Sequence, residues 1–263
     1  MTTYLDRILA AHRAAAAADA RPLGILIDEA EAQPPTRGFT AALRVAAGQG
    51  LGVIAEVKRR SPSKGDLQAR LDPDALARAY ERGGATCLSV LTDREFFGGS
   101  PDDLRAARAA TALPVLRKDF TVAPADVCDA RIMGADAVLL IVAALDDHEL
   151  HDLHDLATRL GLDVLVEVHD EPELERVLAA GATLVGVNQR DLMTFDVDTT
   201  RAVRMGAAMP PAVVRVAESG ICNADDAATL AAAGFDAVLV GESLVTSGDP
   251  TAAVAALRRA QQP

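Results

Sequence analysis

From about residue 50 onward, short β-branched apolar runs alternate with longer stretches rich in Ala, Leu and Arg. The runs predict eight strands, over Val53–Lys58, Thr86–Leu91, Pro114–Lys118, Ala137–Ile141, Asp163–Val168, Leu184–Asn188, Val213–Ala217 and Ala237–Val240. Between them, apolar residues recur at helical spacing, as in Ala75, Leu76, Ala79 and Tyr80, or Leu174, Val177 and Leu178. Strands alternating with helices imply parallel pairing through βαβ crossovers. An internal echo supports the count: Gly84-Ala85-Thr86, Gly134-Ala135-Asp136, Gly181-Ala182-Thr183 and Gly234-Phe235-Asp236 each precede a strand, their glycines 50, 47 and 53 residues apart. Each Gly falls where a helix should end, in the left-handed conformation that glycine adopts at least cost. The period marks two βα units, so four pairs predict an α/β fold, a closed (β/α)8 TIM barrel over an open doubly wound sheet.

Residues 1–50 stand outside the repeat. Tyr4-Leu5, Ile8-Leu9 and Arg13 predict an amphipathic helix, Gln33-Pro34-Pro35-Thr36-Arg37-Gly38 a punctuated connection, and Phe39 to Ala47 a second helix. No low-complexity linker follows. The expectation is one domain over residues 1–263, with 1–50 as a helical extension packed on the barrel.

Composition narrows the class. Half of the 263 residues are hydrophobic, which excludes a disordered chain. Lys and Arg number 26 against 38 Asp and Glu, a formal charge of −12, so neither nucleic acid nor an anionic membrane is an expected partner. The start of the chain is too polar for a secretory signal, and the longest purely apolar run, Ala137 to Leu145, is too short to span a bilayer. Cys87, Cys128 and Cys222 are odd in number and far apart, suggesting neither a disulfide framework nor a zinc site. A soluble cytoplasmic protein is expected.

In such a barrel, active groups sit at the C-terminal ends of strands, and phosphate commonly binds at the loops after strands 7 and 8. The strand ends here are polar: Glu56-Val57-Lys58, Arg117-Lys118-Asp119, Glu167-Val168-His169, Asn188-Gln189-Arg190 and Glu218-Ser219-Gly220. Residues two apart on a strand share a face, so Glu56 and Lys58 point together. Only Lys58, Lys64 and Lys118 among the 26 basic residues are lysines, and two of these three lie at strand ends. Lysine serves as a proton donor when its pKa is lowered, whereas arginine stays protonated. Lysines and carboxylates around one mouth hold acid and base roles apart. Ser219-Gly220 and Gly241-Glu242 offer backbone N–H groups to an anion after strands 7 and 8.

Other candidates carry less. His148, His151 and His154 share one predicted helix, but the outer two lie about 240° apart around its axis, so the three cannot converge on a metal. They read as a solvated face, and no metal site is expected. Cys222 is expected to be buried and inert. His169 shares the parity of Glu167, which makes it a candidate to tune that carboxylate.

The motifs together resemble the indole-3-glycerol phosphate synthase family. They are Glu56-Val57-Lys58-Arg59-Arg60-Ser61-Pro62-Ser63, Ser89-Val90-Leu91-Thr92-Asp93 with Phe96-Phe97-Gly98-Gly99-Ser100, Leu116-Arg117-Lys118-Asp119-Phe120, Leu165-Val166-Glu167-Val168-His169, Gly186-Val187-Asn188-Gln189-Arg190-Asp191-Leu192, Ala217-Glu218-Ser219-Gly220-Ile221 and Val240-Gly241. The resemblance spans all eight predicted strands and the N-terminal extension. It implies a (β/α)8 barrel with extra helices over the catalytic mouth. The implied reaction converts 1-(o-carboxyphenylamino)-1-deoxyribulose 5-phosphate into indole-3-glycerol phosphate, CO2 and water in tryptophan biosynthesis, a carboxy-lyase reaction needing no metal or organic cofactor.

By that resemblance Lys118 is the general acid that polarises the ketone, Glu167 the base in the dehydration, and Lys58 a second candidate acid. Glu56, Asn188 and Glu218 would bind the ribulosyl hydroxyls and hold the lysines charged. Lys58 and Arg190 would meet the substrate carboxylate. Ser219, Gly220, Gly241 and Glu242 would receive the phosphate, with Ser61 nearby, while Phe97, Phe120, Leu139, Ile141 and Leu192 match the anthranilate pocket. Many relatives carry Ser where this chain has Glu242, so its side chain is expected to turn away and leave only its N–H. Because the substrate is anionic, the mouth should gather Lys58, Lys118 and Arg190, with acidic residues on the outer helices. A phosphorylated small molecule is the expected partner, and the chain is expected to be a monomer, with a homodimer as the alternative. The rivals are a phosphoribosylanthranilate isomerase barrel, which lacks its expected cysteine at the end of strand 1, and a barrel that binds a sugar phosphate without turnover.

Overall fold

All eight predicted strands form, each end within one residue of its expected place: β1 Gly52–Val57, β2 Cys87–Leu91, β3 Val115–Lys118, β4 Ala137–Ile141, β5 Asp163–Val168, β6 Leu184–Asn188, β7 Val214–Glu218 and β8 Ala237–Val240. The computed structural model describes residues 3–61, 64–191 and 196–259. The strands pair in parallel in chain order, and the barrel closes through β1 and β8, where Gly52 lies opposite Ala237 and Ile54 opposite Leu239. Helix α1 (Tyr4–Ala18), α2 (Leu23–Glu31) and α3 (Phe39–Ala47) precede the barrel. Around it run α4 (Pro73–Gly83), α5 (Pro101–Ala110), α6 (Pro124–Ile132), α7 (Asp147–Arg159), α8 (Glu171–Ala179), α9 (Arg201–Gly206) and α10 (Ala224–Ala232). A short α11 (Glu242–Val245) and α12 (Pro250–Arg259) follow β8. The chain from about 23 to 31, not foreseen as a helix, forms α2 and lies along α6.

Strand alternation sorts the side chains by face. Ile54, Leu116, Leu139 and Leu165 point inward and are buried, forming an apolar layer beneath the polar ends of the same strands. Gly186 of β6 faces this interior, and a methyl group there would collide with the Glu218 carboxylate. Polar caps turn the chain from each strand end into its helix. Asp72 accepts from the N–H of Asp74 and Ala75, Ser100 from Asp103, and Asp146 forms a capping box with Glu149. The four repeat glycines close the helices with φ between 80° and 96°, as their spacing predicts.

The N-terminal segment reaches both ends of the barrel. At the strand starts, α3 buries Phe39 and Leu43, Thr40 N–H donates to Asp163 at 2.9 Å, and Arg37 N–H donates to Asp136 at 2.7 Å. Asp136 is fully buried and also accepts from Val115 N–H at 2.8 Å and from the Arg108 guanidinium. Both its oxygens are thus satisfied, as a buried carboxylate requires. At the opposite end, α1 crosses three strand-end loops. Its Tyr4 ring meets Phe96 edge-on at 5.8 Å, His12 Nε2 bonds Asp93 at 2.8 Å, and Arg13 holds Glu149 in a two-point pair at 2.7 and 2.9 Å.

Candidate active site

The C-terminal strand ends surround a cavity of about 720 Å³. Every predicted site residue lines it except Leu192, which lies outside the described residues. At its base, parity brings the inward-facing charged groups together. Glu56 Oε1 stands 2.6 Å from Lys58 Nζ, while Oε2 accepts from Ser89 Oγ at 3.2 Å. Lys118 Nζ, from β3, stands 3.3 Å from Glu167 Oε2 of β5 and 3.8 Å from Glu218 Oε2 of β7. Asn188 of β6 donates to the other Glu167 oxygen at 3.1 Å, and its own carbonyl Oδ1 accepts the Arg190 N–H at 3.0 Å.

Two further regions flank this charged floor. Phe97 and Phe120 lie 6.3 Å apart with rings tilted by 34°, and with Leu139 and Ile141 they make an apolar side. Opposite β1, Gly241 opens α11, and a methyl group at that position would come within 2.5 Å of Glu56 Oε1 and 3.0 Å of Lys58 Nζ. The missing side chain therefore lets the Lys58 ammonium stand against the β8 loop. Among the described residues, Ser219 is the one non-glycine with positive φ, at 65°, and Gly220 follows at 74°. The first N–H groups of α11 have no intrahelical acceptor. The loops after β7 and β8, with this short helix, form the arrangement in which barrels of this kind hold phosphate.

Comparison with known proteins agrees with the motifs. The sequence model described as indole-3-glycerol phosphate synthase matches residues 5–257. The chain belongs to the indole-3-glycerol phosphate synthase family. It is 52% identical over 259 residues to the indole-3-glycerol phosphate synthase of Mycolicibacterium smegmatis, covering 97% of this chain and 93% of that protein. The Mycobacterium tuberculosis H37Rv synthase is 51% identical over 259 residues with the same coverage. Among solved structures, thiamine phosphate pyrophosphorylase from Pyrococcus furiosus superposes with a TM-score of 0.60 over 82% of this chain and 96% of its own. At 18% identity that likeness shows the shared barrel alone.

The electrostatics of this synthase-family site differ from expectation in two respects. The lysine donor was expected to have a lowered pKa. Burial does push Lys118 down, but Glu167, Glu218 and Glu56 outweigh it and hold the pKa above the ordinary lysine value. Nor are acidic groups confined to the outer helices. Among the described residues, six acidic residues line the cavity (Glu56, Asp93, Asp119, Glu167, Glu218 and Glu242) against four basic ones, Lys58, Lys64, Lys118 and Arg190. Lys58 and Lys118 are largely withdrawn from water, each with 17% of its side chain exposed, and such an ammonium is held by compensating charge. All three lysines of the chain converge here, Lys64 included.

The two central carboxylates are driven apart. Burial raises Glu218 well above the usual range, and the neighbouring Glu167 charge adds to this. Burial also opposes ionisation of Glu167, but Lys118, His169 and Asn188 overcome it and hold that carboxylate well below its ordinary value. Of the pair, Glu167 is the stronger acid and Glu218 the weaker, a division that suits one base beside one proton holder. Glu56 is likewise buried yet lowered, chiefly by Lys58 and then Lys118.

His169 stands where its parity placed it. Nε2 is 3.3 Å from Glu167 Oε1, close enough to pair as charges but off the line of a hydrogen bond, and Nδ1 is 3.2 Å from Glu173. Burial lowers its pKa, but the two carboxylates raise it further, to about 9. The folded-state value lies above the ordinary 6.5, so the imidazolium stabilises the fold fully below that pH and the contribution fades as pH rises through about 9. Melting temperatures of the parent and His169→Gln should therefore differ most near pH 6 and converge above about pH 10.

Other features were missed or misjudged. Cys222 is exposed, not buried, because it lies on the loop after β7 and lines the cavity. Asp93 and Asp119 also line it and share His12 of α1, at 2.8 and 3.7 Å. Their place right after strand ends was a usable signal, whereas nothing local in α1 marks His12 as their partner. On α7, His148 and His151 pair with Asp152 and Asp155 on an exposed face while His154 is half-buried, so the three do not converge. His12, Asp93 and Asp119 approach one another closely enough to hold an ion. Their oxygens are already engaged, however: Asp93 accepts from Phe96 and Phe97 N–H, and Asp119 from Thr92, Arg117 and Phe120.

Proposed function

We propose that the charged floor, the aromatic side and the β7–β8 loops divide the work of the synthase reaction among them. The chain is an enzyme of tryptophan biosynthesis, a carboxy-lyase acting on a small-molecule substrate. The observation that carries the division of roles is the Lys118 ammonium, 3.3 Å from Glu167 and 3.8 Å from Glu218 between the two flanking regions. The anthranilate ring lies against Phe97, Phe120, Leu139 and Ile141, with Leu192 assigned to the same pocket by resemblance. The phosphate takes the N–H groups around Ser219, Gly220, Gly241 and Glu242, with Ser61 at the rim.

A ketone carbon is a poor electrophile until its oxygen is polarised. Lys118, kept cationic by three carboxylates, polarises it and gives a proton to the alkoxide as the aromatic carbon attacks. The ring carboxylate leaves as CO2, its bonding electrons restoring aromaticity. Glu167, the more readily ionised member of the carboxylate pair, then removes the ring-carbon proton. The hydroxyl departs as water with a proton from Lys58, or from Lys118 once reloaded. Asn188 holds Glu167 in line, and Glu56 keeps Lys58 charged. Arg190 and Lys58 take the substrate carboxylate, and the approach of Lys58 to Gly241 also brings it within reach of the phosphate. Glu242 reaches Lys64 at 3.7 Å across the rim, which offsets its charge and leaves its N–H to the phosphate.

The assigned residues surround the mouth of a single barrel, which supports reading the chain as a monomer. Three unpaired thiols suit a reducing cytoplasm. Among the described residues no helix is long and apolar enough to cross a membrane. The test is to mix purified protein with 1-(o-carboxyphenylamino)-1-deoxyribulose 5-phosphate and follow indole fluorescence. Turnover supports the reading; tight binding without product would replace it with a sugar-phosphate-binding barrel.

A further inference from the structure

Ser219 adopts a left-handed backbone that a residue with a Cβ resists, at the loop where phosphate is assigned. Such an outlier persists only where its surroundings over-determine it. The surroundings here are the β6–α9 loop. Gln189, 1% exposed, donates from Nε2 to the Ser219 carbonyl at 2.7 Å. Gln189 is itself fixed through its backbone, its N–H donating to Glu218 O and its carbonyl accepting from Asp198 N–H, both at 2.9 Å. Its Oε1 is buried with no hydrogen-bond partner among the described residues. A buried amide that leaves its acceptor idle while spending its donor on one carbonyl is placed for that carbonyl. Farther along the same loop, Val197 packs on Gly220, where a methyl group would come within 2.6 Å of its Cγ1.

We infer that Gln189 is a positioning residue for substrate phosphate: its amide pins the Ser219 carbonyl, turning the Ser219–Gly220 peptide so that its N–H faces the phosphate. This rests on assigning phosphate to the β7 and β8 loops. Gln189 makes no contact with substrate and takes no part in proton transfer, so its removal weakens the grip on phosphate and leaves the chemical step alone.

The test compares Gln189→Leu, Ser219→Gly, the double variant and Gly220→Ala, using inorganic phosphate as a competitive inhibitor. Loss of one buried hydrogen bond should raise Ki for phosphate and KM together by about tenfold, with kcat within about threefold of the parent. Glycine at 219 takes the left-handed backbone unaided, so on the Ser219→Gly background the same replacement of Gln189 should raise Ki by less than about threefold. A folded Gln189→Leu with unchanged Ki, while Gly220→Ala raises it, overturns the inference and leaves the phosphate site standing. An equal Gln189 effect on both backgrounds also overturns it, since Gln189 would then act by another route. If neither Gln189→Leu nor Gly220→Ala moves Ki, the phosphate assignment itself fails. Should Gln189→Leu not fold, Gln189→Met, which keeps the length and has no donor, takes its place with the same expectations.

Discussion

Replacing Lys118 by alanine should lower kcat by about 10³-fold, a loss of about 4 kcal/mol of transition-state stabilisation, with KM changed far less. The ammonium is the one cation held between Glu167 and Glu218, and nothing else on the floor reaches the same point: Lys58 is engaged by Glu56 at 2.6 Å. Lys118→Arg should not restore activity, because a planar guanidinium needs more room and releases no proton. Steady-state turnover followed by indole fluorescence decides the matter. If Lys118→Ala retains parent kcat, the acid lies elsewhere, and Lys58 is the next group to test. Removing the cation also leaves three carboxylates facing one another. The carboxylates should therefore titrate at higher pH in the variant than in the parent, which potentiometric titration of the two proteins would show.

The second large effect is expected at Glu167. Glu167→Gln should lower the rate of indole formation by about 10²-fold while leaving the earlier release of CO2 nearly intact, because the carboxylate acts only after decarboxylation. The two products separate the steps: a burst of CO2 without fluorescence places Glu167 in the dehydration, whereas equal loss of both places it earlier. Part of the lost base strength should return through Glu218. Burial is the larger cause of its raised pKa and the Glu167 charge the next, so neutralising Glu167 lowers that pKa and makes Glu218 easier to ionise. The double variant Glu167→Gln with Glu218→Gln should then be slower than either single one, and by more than their separate effects predict.

What could be read from the chain was what local order encodes. The barrel is written in the spacing of four glycines and in eight apolar runs, and β4, β5, β6 and β8 begin and end where those runs do. Alternation placed Glu56 with Lys58, and Glu167 with His169, because each pair is two positions apart across the end of one strand. What stayed hidden depends on groups far apart in sequence. His12 meets Asp93 across 81 positions, and no pattern in either segment foretells it. The sign of the Lys118 shift depends on carboxylates contributed by β1, β5 and β7, and only the closed barrel brings them around one ammonium. Helix α2 buries Leu26 and Ala30 but exposes Leu23 and Ile25, a mixed pattern that gives little periodic signal. Cys222 is exposed because the loop after β7 carries it to the rim, which residue type alone does not tell.

The N-terminal segment, with α3 under the strand starts and α1 across the strand ends, has a consequence for how the chain is made. It is made before the surfaces on which it docks: Arg44 donates to Ala212 O across 168 positions, and Arg13 to Glu149 across 136. The seam between β1 and β8 also waits until β8 has been made, since Gly52 pairs with Ala237. Contacts of such sequence separation form slowly, because a long loop must close before they repay its entropy. The two parts of the segment therefore settle at different times: α1 can dock once Glu149 has been made, whereas α3 must wait for Ala212. The roof over the substrate chamber can be in place before the barrel beneath it closes.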